Sequence, residues 1–437
     1  MKNKRTHLFT GLLALALLSV QAASAADYNW LPAWGKWEDA ANWDAGAVPV
    51  GSGITAEIAN NRACLMDRDT PYSGLTREFR GELTIGNPAG TGTLDVVSSG
   101  GEVGFIYAKL LAVGDGGTGV VNLSGHAKAW FRADAGSTVQ GRVDVGINGG
   151  QGTLNISNGY STGRSLTFGD TGGRGVVNMS GGQLTADRNG LHVGQNGGTG
   201  ILNLNGGTLN AWLMTVYGSG TTASEFNVLD ASTTINVLGN QYGRNVPRPH
   251  NGIAFGEGAD SNVKLTAVPG AQIQFTGNCD ADVEFKTAGP AAAADMAGLN
   301  NTTFVFSKNN RIADHAVDPP GDRFSQLEVA CADIGRKADG FVGNFALGGL
   351  TLLTPGAAST DLSGTNTVQL VDNHANAGVP GAEALYVKNL VLEERTVLDL
   401  NGKKLYYLDG DFAAGTVLNG APVQVPPSDP TTLIVIR

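Results

Sequence analysis

Charged residues make up only 16% of this 437-residue chain, and aromatic residues only 7%. Long charged helices and coiled coils need more charge than this, so the composition argues against both. Lys and Arg number 29 against 39 Asp and Glu, which gives a formal net charge of −10. Because acidic residues outnumber basic ones, nucleic acid and anionic membrane surfaces are disfavoured as partners.

Long apolar runs are also scarce. After residue 25, no stretch reaches the roughly 18 apolar residues that a membrane-spanning helix needs. The one long run, Leu8 to Val20, follows a basic start and precedes the small residues Ala23-Ser24-Ala25. This order is typical of a secretory signal peptide, here residues 1–25. We therefore expect export through the inner membrane, to the extracellular space or outer cell surface, with the periplasm as the alternative.

The chain has only three cysteines, Cys64, Cys279 and Cys331. An odd number in an exported chain allows one disulfide and a free thiol, or three buried thiols. Cys279 with Cys331 is the pair to test, although their spacing does not favour either alternative. The histidines lack the close His or Cys partners of a zinc site, so we expect no metal and no cofactor. His192 is expected to point outward from its strand.

Glycine, in contrast, is abundant, with 64 residues, and it recurs at fixed positions of a tandem sequence repeat. In each copy two short apolar alternations flank a glycine-rich turn, as in Leu191-His192-Val193 before the turn and Ile201 to Leu204 after it. Alternation with period two predicts strands, and glycine allows the sharp turn between them. The five clear copies begin at Leu83, Leu111, Val143, Leu166 and Leu191.

Tandem units of this size predict a solenoid, because one unit cannot bury its apolar face without its neighbours. The fold class predicted is all-β, a β-solenoid (parallel β-helix-like) with an N-terminal aromatic cap and a C-terminal β module. The expected interior column consists of Leu94, Val121, Leu154, Val177 and Leu202. A side-chain ladder is expected along Asp95, Asn122, Asn155, Asn178, Asn203 and Asn227.

Four of the six tryptophans, Trp30, Trp34, Trp37 and Trp43, lie close together after the leader. We interpret them as a plug for the first coil; the alternative is a platform on which sugar rings stack. The predicted organisation is a leader (1–25), a Trp-rich cap (26–80), the repeat solenoid (81–289), an insertion or irregular segment (290–344), a C-terminal β module (345–425) and a tail (426–437).

One of the lengthened copies carries an insertion with an aromatic and charged mixture. Insertions in repeat proteins map to loops on one face, often the binding face. The candidate ligand-contact residues are therefore Trp130, Phe131 and Arg132. A loop that merely folds back is the alternative.

The repeats G-x-x-G-G-x-G-x-[LV]-N-[LIM]-S-x-G resemble those of autotransporter passenger regions and of bacterial surface proteins with a PEP-type sorting tail. The segment from Trp34 to Pro49 resembles the opening of those proteins, and Ala384 to Tyr407 resembles a closing module of theirs. The resemblance implies a secreted β-solenoid at the cell surface without known catalytic residues. Neither a translocator barrel nor a Pro-Glu-Pro motif follows in this sequence.

Function is open between three classes. The favoured one is a non-enzymatic structural or adhesin-like surface protein whose partners are glycans, other surface proteins or copies of itself. The alternatives are a carbohydrate-active β-helix enzyme, a lyase or hydrolase, and a carbohydrate-binding module. An enzyme needs convergent carboxylates, and the candidate acidic pairs are typical of solvated turns. These pairs are Asp67/Asp69, Asp280/Asp282, Glu393/Glu394 and Asp409/Asp411.

Overall fold

The structure is a computed structural model, and it describes residues 27–50, 53–67, 81–98, 105–131, 141–218, 222–239, 252–256, 261–276, 281–307, 324–355, 365–376 and 382–426. The leader, Arg132, Cys279 and the tail beyond Val425-Pro426 lie outside these residues. Within them the chain winds as a parallel β-solenoid, which confirms the predicted all-β class. Each coil contributes strands to up to three rows, and each strand pairs with those of the coils before and after it.

The first row precedes the glycine-rich turn of each coil. It consists of β1 (Tyr28–Asn29), β3 (Thr55–Ile58), β5 (Glu82–Ile85), β8 (Leu110–Asp115), β11 (Arg142–Ile147), the second halves of β13 (Tyr160–Phe168) and β15 (Gln183–Val193), β18 (Met214–Val216), β21 (Ile253–Phe255), β24 (Val283–Phe285), β26 (Ser325–Glu328), β29 (Asn366–Val371), β31 (Thr396–Asp399) and β33 (Thr416–Leu418).

The second row follows that turn and has nine parallel strands. It consists of β2 (Trp34–Lys36), β4 (Arg62–Asp67), β6 (Thr91–Ser98), β9 (Thr118–Gly125), β12 (Gln151–Ser157), β14 (Arg174–Met179), β16 (Thr199–Leu204), β19 (Ser224–Val228) and β22 (Val263–Ala267).

The third row closes each coil. It consists of β7 (Phe105–Ala108), β10 (Lys128–Phe131), the first halves of β13 and β15, β17 (Thr208–Ala211), β20 (Thr234–Val237), β23 (Ala271–Phe275), β25 (Thr302–Phe306), β28 (Leu347–Leu352), β30 (Glu383–Leu392), β32 (Lys404–Asp411) and β34 (Val423–Gln424). One short strand, β27 (Cys331–Ala332), pairs antiparallel with β30.

The interior is filled by aliphatic side chains that lie over one another from coil to coil. Leu94, Val121, Leu154, Val177 and Leu202 pair in register along the second row, and all are fully buried. The predicted interior column is therefore confirmed. Its cause is the two-residue alternation, which sends every second side chain inward, combined with parallel in-register pairing.

Glycine at the end of the first-row strands of the repeats has a specific steric role. Gly146 has a φ of +67°, and a Cβ placed on it would come within 2.0 Å of the Arg174 carbonyl oxygen on the next coil. Gly86, Gly114 and Gly169 repeat this arrangement, with Cβ distances of 1.9–2.1 Å to the following coil. Only glycine tolerates both the left-handed backbone and the close approach, which explains why it recurs at this place in each copy.

The first coil is closed by its tryptophans. Trp30 and Trp43 form an antiparallel bridge, and Trp43 packs edge-on against both Trp30 and Trp37, at ring separations of 5.0 and 4.7 Å. Trp43 Nε1 donates to the Trp37 carbonyl, so its polar group is satisfied inside the apolar plug. Trp30, Trp37 and Trp43 are buried, as a cap requires, whereas Trp34 is 60% exposed.

The second row ends under a short helical segment. Helix α1 (Gly289–Asp295) and the 3-10 helix Ala297–Asn301 follow β22 in space, and Asn301 Nδ2 donates to the Ala267 carbonyl at 2.8 Å. This segment covers a strand edge that would otherwise expose unpaired backbone groups. The region 290–344, expected to be an insertion or irregular, thus contains this cover but also β25 and β26, which continue the third and first rows.

Candidate functional site

The outer surface of the second row is highly regular. We call the outward side chains of β6, β9, β12, β14 and β16 the second-row face. Its four columns run parallel to the solenoid axis, because successive strands pair without a register shift. Among the outward residues of these five strands, only Asp95 and Arg174 carry a charge. The face is therefore regular and nearly neutral.

One column of this face is a continuous hydrogen-bonded ladder. Asn122 Nδ2 donates to Asp95 Oδ1 at 2.6 Å, and Asn155 Nδ2 donates to Asn122 Oδ1 at 2.7 Å. Asn178, Asn203 and Asn227 continue the series at 2.8, 2.8 and 2.9 Å. The predicted ladder is confirmed over all six positions. The side chains are half-buried or buried, so the amides have found partners along the axis instead of relying on water.

The ladder has a direction. Every amide donates towards the N-terminal end, so the first position must supply an acceptor, and Asp95 does so with a carboxylate. A hydrogen bond to an ionised acceptor is shorter and stronger than one between neutral groups, in agreement with the 2.6 Å distance. At the other end, Glu225 Oε2 accepts from Asn227 Nδ2 at 3.0 Å. Asparagine at position 95 would also accept, but its amide would find no side-chain acceptor on the preceding coil, where Leu65 lies in register. Aspartate accepts without a donor to satisfy, which explains the break in the asparagine pattern.

Replacement of Asn178 by alanine should lower the free energy of unfolding by about 1–3 kcal/mol, because the substitution breaks two ladder hydrogen bonds and leaves neighbouring amides without partners. Thermal or denaturant unfolding measures the loss. Ser180→Ala, an exposed change just past the same strand, is the matched control and should cost less than about 0.5 kcal/mol. Equal stability of the two variants would show that the ladder contributes nothing.

A second column of the face is apolar and hydroxylic, and it continues beyond the face onto β4 and β2. Trp34, Ala63, Thr93, Val120, Thr153, Val176 and Ile201 pair in register from β2 to β16. Ala63 to Ile201 are half-buried, whereas Trp34 is well exposed at the N-terminal end. We call this set the apolar stripe. It spans six coil steps of about 4.8 Å each, roughly 29 Å in all.

A group of ionisable side chains lies at the corner that follows the first row, near the C-terminal end of the solenoid. Lys286 Nζ lies 2.7 Å from Glu284 Oε2, and Lys403 Nζ lies 2.8 Å from Asp372 Oδ2. Electrostatic interactions with Glu284 and Lys286 reach His374. We call Glu284, Lys286, Glu328, Asp372, His374 and Lys403 the corner cluster. Its members come from four successive coils.

The buried side chain of Glu328 holds the backbone of this corner by hydrogen bonds. It is fully buried, and its Oε1 accepts from the backbone N–H groups of Asn373 and His374 at 2.7 and 2.8 Å. Burial raises the pKa of Glu328 to about 8, against the two backbone donors, and the charges of Asp372 and Glu383 add to the rise. Burial also lowers the pKa of His374, an effect that Glu284 opposes and Lys286 reinforces. The corner therefore favours a neutral acid and a neutral imidazole.

Of the three candidate ligand-contact residues of the insertion, the structure describes the side chain of Phe131. Phe131 is 2% exposed and belongs to the core, which removes it from the contact set. The backbone of Trp130 pairs with Tyr107 and Thr162 in the third row. Arg132 lies outside the described residues. His192 is half-buried between the buried Leu191 and Val193, with Nε2 3.1 Å from the Asn189 carbonyl oxygen.

Three members of the acidic pairs, Asp282, Glu393 and Asp409, accept hydrogen bonds from backbone N–H groups. Asp282 is buried and accepts from the Gln326 N–H at 2.8 Å, and Glu393 accepts from the Thr354 N–H at 2.8 Å. Asp280 and Asp69 lie outside the described residues. Cys64 and Cys331 are buried free thiols whose pKa values burial raises. Because Cys331 is a free thiol, it does not form the disulfide with Cys279 that the sequence singled out for testing; Cys279 itself lies outside the described residues.

Sequence reasoning missed the corner cluster and the apolar stripe. The cluster joins residues up to 119 positions apart, from Glu284 to Lys403, in coils of unequal length without a clear repeat. The stripe could have been found, because its members precede the ladder position by two residues in each copy.

Comparison of this chain with protein-family models, with curated proteins and with solved structures finds no match in any of the three. Among the described residues, no helix is long and apolar enough to cross a membrane.

Proposed function

We propose that this chain is an exported, non-enzymatic rod that serves as a structural or adhesin-like protein at the bacterial cell surface. The observation that carries the proposal is the second-row face: a regular, nearly uncharged, hydrogen-bonded array repeated over successive coils. Such a face offers many equivalent contacts along one axis, as expected of a surface built for adhesion or scaffolding. The leader in the sequence and the resemblance to surface repeat proteins support the same proposal.

Export and surface location are tested by expressing the full chain in a bacterial host and fractionating the cells. We expect the mature protein in the outer-surface or medium fraction, cleaved after Ala25 and accessible to added protease. N-terminal sequencing of the recovered protein checks the cleavage position. Retention of an uncleaved chain inside the cell would contradict the proposal.

The corner cluster favours a second candidate, a carbohydrate-active enzyme. Six ionisable side chains from four coils are linked in pairs along this corner, and the buried Glu328 and the half-buried His374 tend towards their neutral forms. Groups with displaced pKa values are common in active sites, although structural ion pairs produce them too. The two salt bridges and the backbone contacts of Glu328 account for most of this cluster as a device that holds the corner together.

Release of reducing ends or unsaturated sugars from a panel of polysaccharides separates these two functions. The adhesive rod predicts no release with the wild-type protein, and no difference for His374→Ala. Release by the wild-type protein that disappears in His374→Ala, with unchanged thermal unfolding, would establish an enzyme in place of the rod. Glu394→Gln, an exposed change outside the cluster, serves as the control.

A further inference from the structure

The second-row face combines three kinds of contact that a sugar polymer uses. The ladder amides each keep a second N–H and a second carbonyl lone pair that the ladder bond does not occupy. Next to them, the apolar stripe offers methyl and hydroxyl groups at one position per coil. At its N-terminal end stands Trp34, whose ring is 60% exposed. Aromatic faces, apolar patches and fixed polar groups together are the lining of a typical ligand site.

Trp34 is distinctive among its neighbours in the cap. Trp30, Trp37 and Trp43 are buried and their rings contact one another, so they have a structural role. Trp34 takes part in none of these ring contacts, and its register pairing with Ala63 places it in line with the stripe. Three of the four rings form the cap, and the ring of Trp34 lies at the N-terminal end of the apolar stripe.

The charge of the face determines the class of occupant. Five strands present two charges of opposite sign, Asp95 and Arg174, and Asp95 is engaged by the ladder. On β2, Lys36 is also exposed, five strands away from Arg174 and in a different column, so the two basic side chains form no row. A polyanion would find no basic row to neutralise its charges, and the chain as a whole is negative at −10. Because a polyanion would lose its hydration along the whole face and could pair only with the widely separated Arg174 and Lys36, the face is complementary to a neutral polymer.

We propose that the second-row face binds an extended neutral polysaccharide along the solenoid axis, with one sugar ring stacked on Trp34 and the following rings on the apolar stripe and ladder amides. This inference rests on the proposed adhesive function and names its ligand class and its site. The polymer lies over parallel strands whose spacing is fixed by backbone hydrogen bonds, so the array is preorganised and loses little entropy on binding.

The test is depletion of the purified mature protein by microcrystalline cellulose and by chitin, with alginate-coated beads as the anionic comparison. Val176→Lys places a charge in the middle of the stripe and should weaken binding about tenfold or more. Val342→Lys, at a position that is 72% exposed and directly follows the 3-10 helix Ala338–Phe341, is the matched control and should bind like the wild type. Trp34→Ala removes only an exposed ring and should weaken binding about threefold to tenfold.

Each outcome decides something. Equal binding by Val176→Lys and Val342→Lys, together with unchanged binding by Trp34→Ala, would overturn the site, and should Val176→Lys fail to fold, Trp34→Ala alone decides. Stronger retention on alginate than on both neutral polymers would overturn the ligand class. If the wild type is exported to the surface but binds neither neutral polymer, this inference fails while the rod function stands. An unexported chain that still binds cellulose or chitin through the stripe would leave the site intact and refute the surface role.

Discussion

Gly146→Ala is expected to destabilise the solenoid severely, by about 4 kcal/mol or more, which is exceptional for the addition of one methyl group. Two costs combine at this position. Alanine in the left-handed region is disfavoured by about 1–2 kcal/mol. In addition, the new Cβ would lie 2.0 Å from the Arg174 carbonyl oxygen and 2.5 Å from the Gly175 nitrogen, so the next coil must move and its strand pairing with β12 must distort.

Gly149→Ala, in the same turn, separates the cost of the left-handed backbone from the cost of the steric clash. Gly149 has a φ of +78°, but a Cβ added there would meet nothing within 4 Å. Only the backbone cost applies there, so we expect a loss of about 1–2 kcal/mol. Chemical denaturation of the two variants measures both losses. If both variants lose the same stability, the close approach of the coils is not what the glycine provides.

Stability should fall as the pH rises from about 5 to about 9, and Glu328→Gln should remove most of that fall. The folded state raises the pKa of Glu328 to about 8 by burying it, whereas the unfolded chain has the ordinary value of 4.5. Between these values the native state binds the proton and the unfolded state does not. The contribution of Glu328 is therefore fully present below about pH 4.5, and it is lost as the pH rises through about 8.

The size of this effect follows from the displacement of the pKa. Each unit corresponds to about 1.4 kcal/mol, so the upper bound is about 5 kcal/mol, and relaxation around the ionised group reduces it to roughly 2–4 kcal/mol. Glutamine keeps an oxygen that can accept from the Asn373 and His374 N–H groups. Glu328→Gln should thus be as stable as the wild type at pH 5 and more stable at pH 9.

The measurement is the free energy of unfolding at several pH values for both proteins. Asp144 is also buried, and burial raises its pKa to about 6, so part of the wild-type slope below pH 7 belongs to it and stays in Glu328→Gln. Glu394→Gln, an exposed change outside the corner cluster, controls for the loss of a single carboxylate. Parallel curves for the wild type and Glu328→Gln would refute the neutral buried acid.

The sequence by itself determined the elements that repeat. Alternating apolar residues specified short strands, glycine specified the turns, and the equal placement of Leu154 with Val177 and of Asn155 with Asn178 specified the interior column and the ladder. These features are local and periodic, so one copy predicts the next. The same periodicity could have revealed the apolar stripe, which lies two residues before each ladder position.

Only the tertiary structure decided what lies between distant, non-repeating segments. It separated Trp34 from the three buried rings of the cap, placed Phe131 in the core, and brought Glu328 under Asn373 and His374. Coil lengths differ along the chain, most of all after residue 240, so sequence distance no longer gives the number of coils between two residues. Which side chains meet there depends on the register of the stacked strands, and that register is fixed by packing over the whole length of the rod.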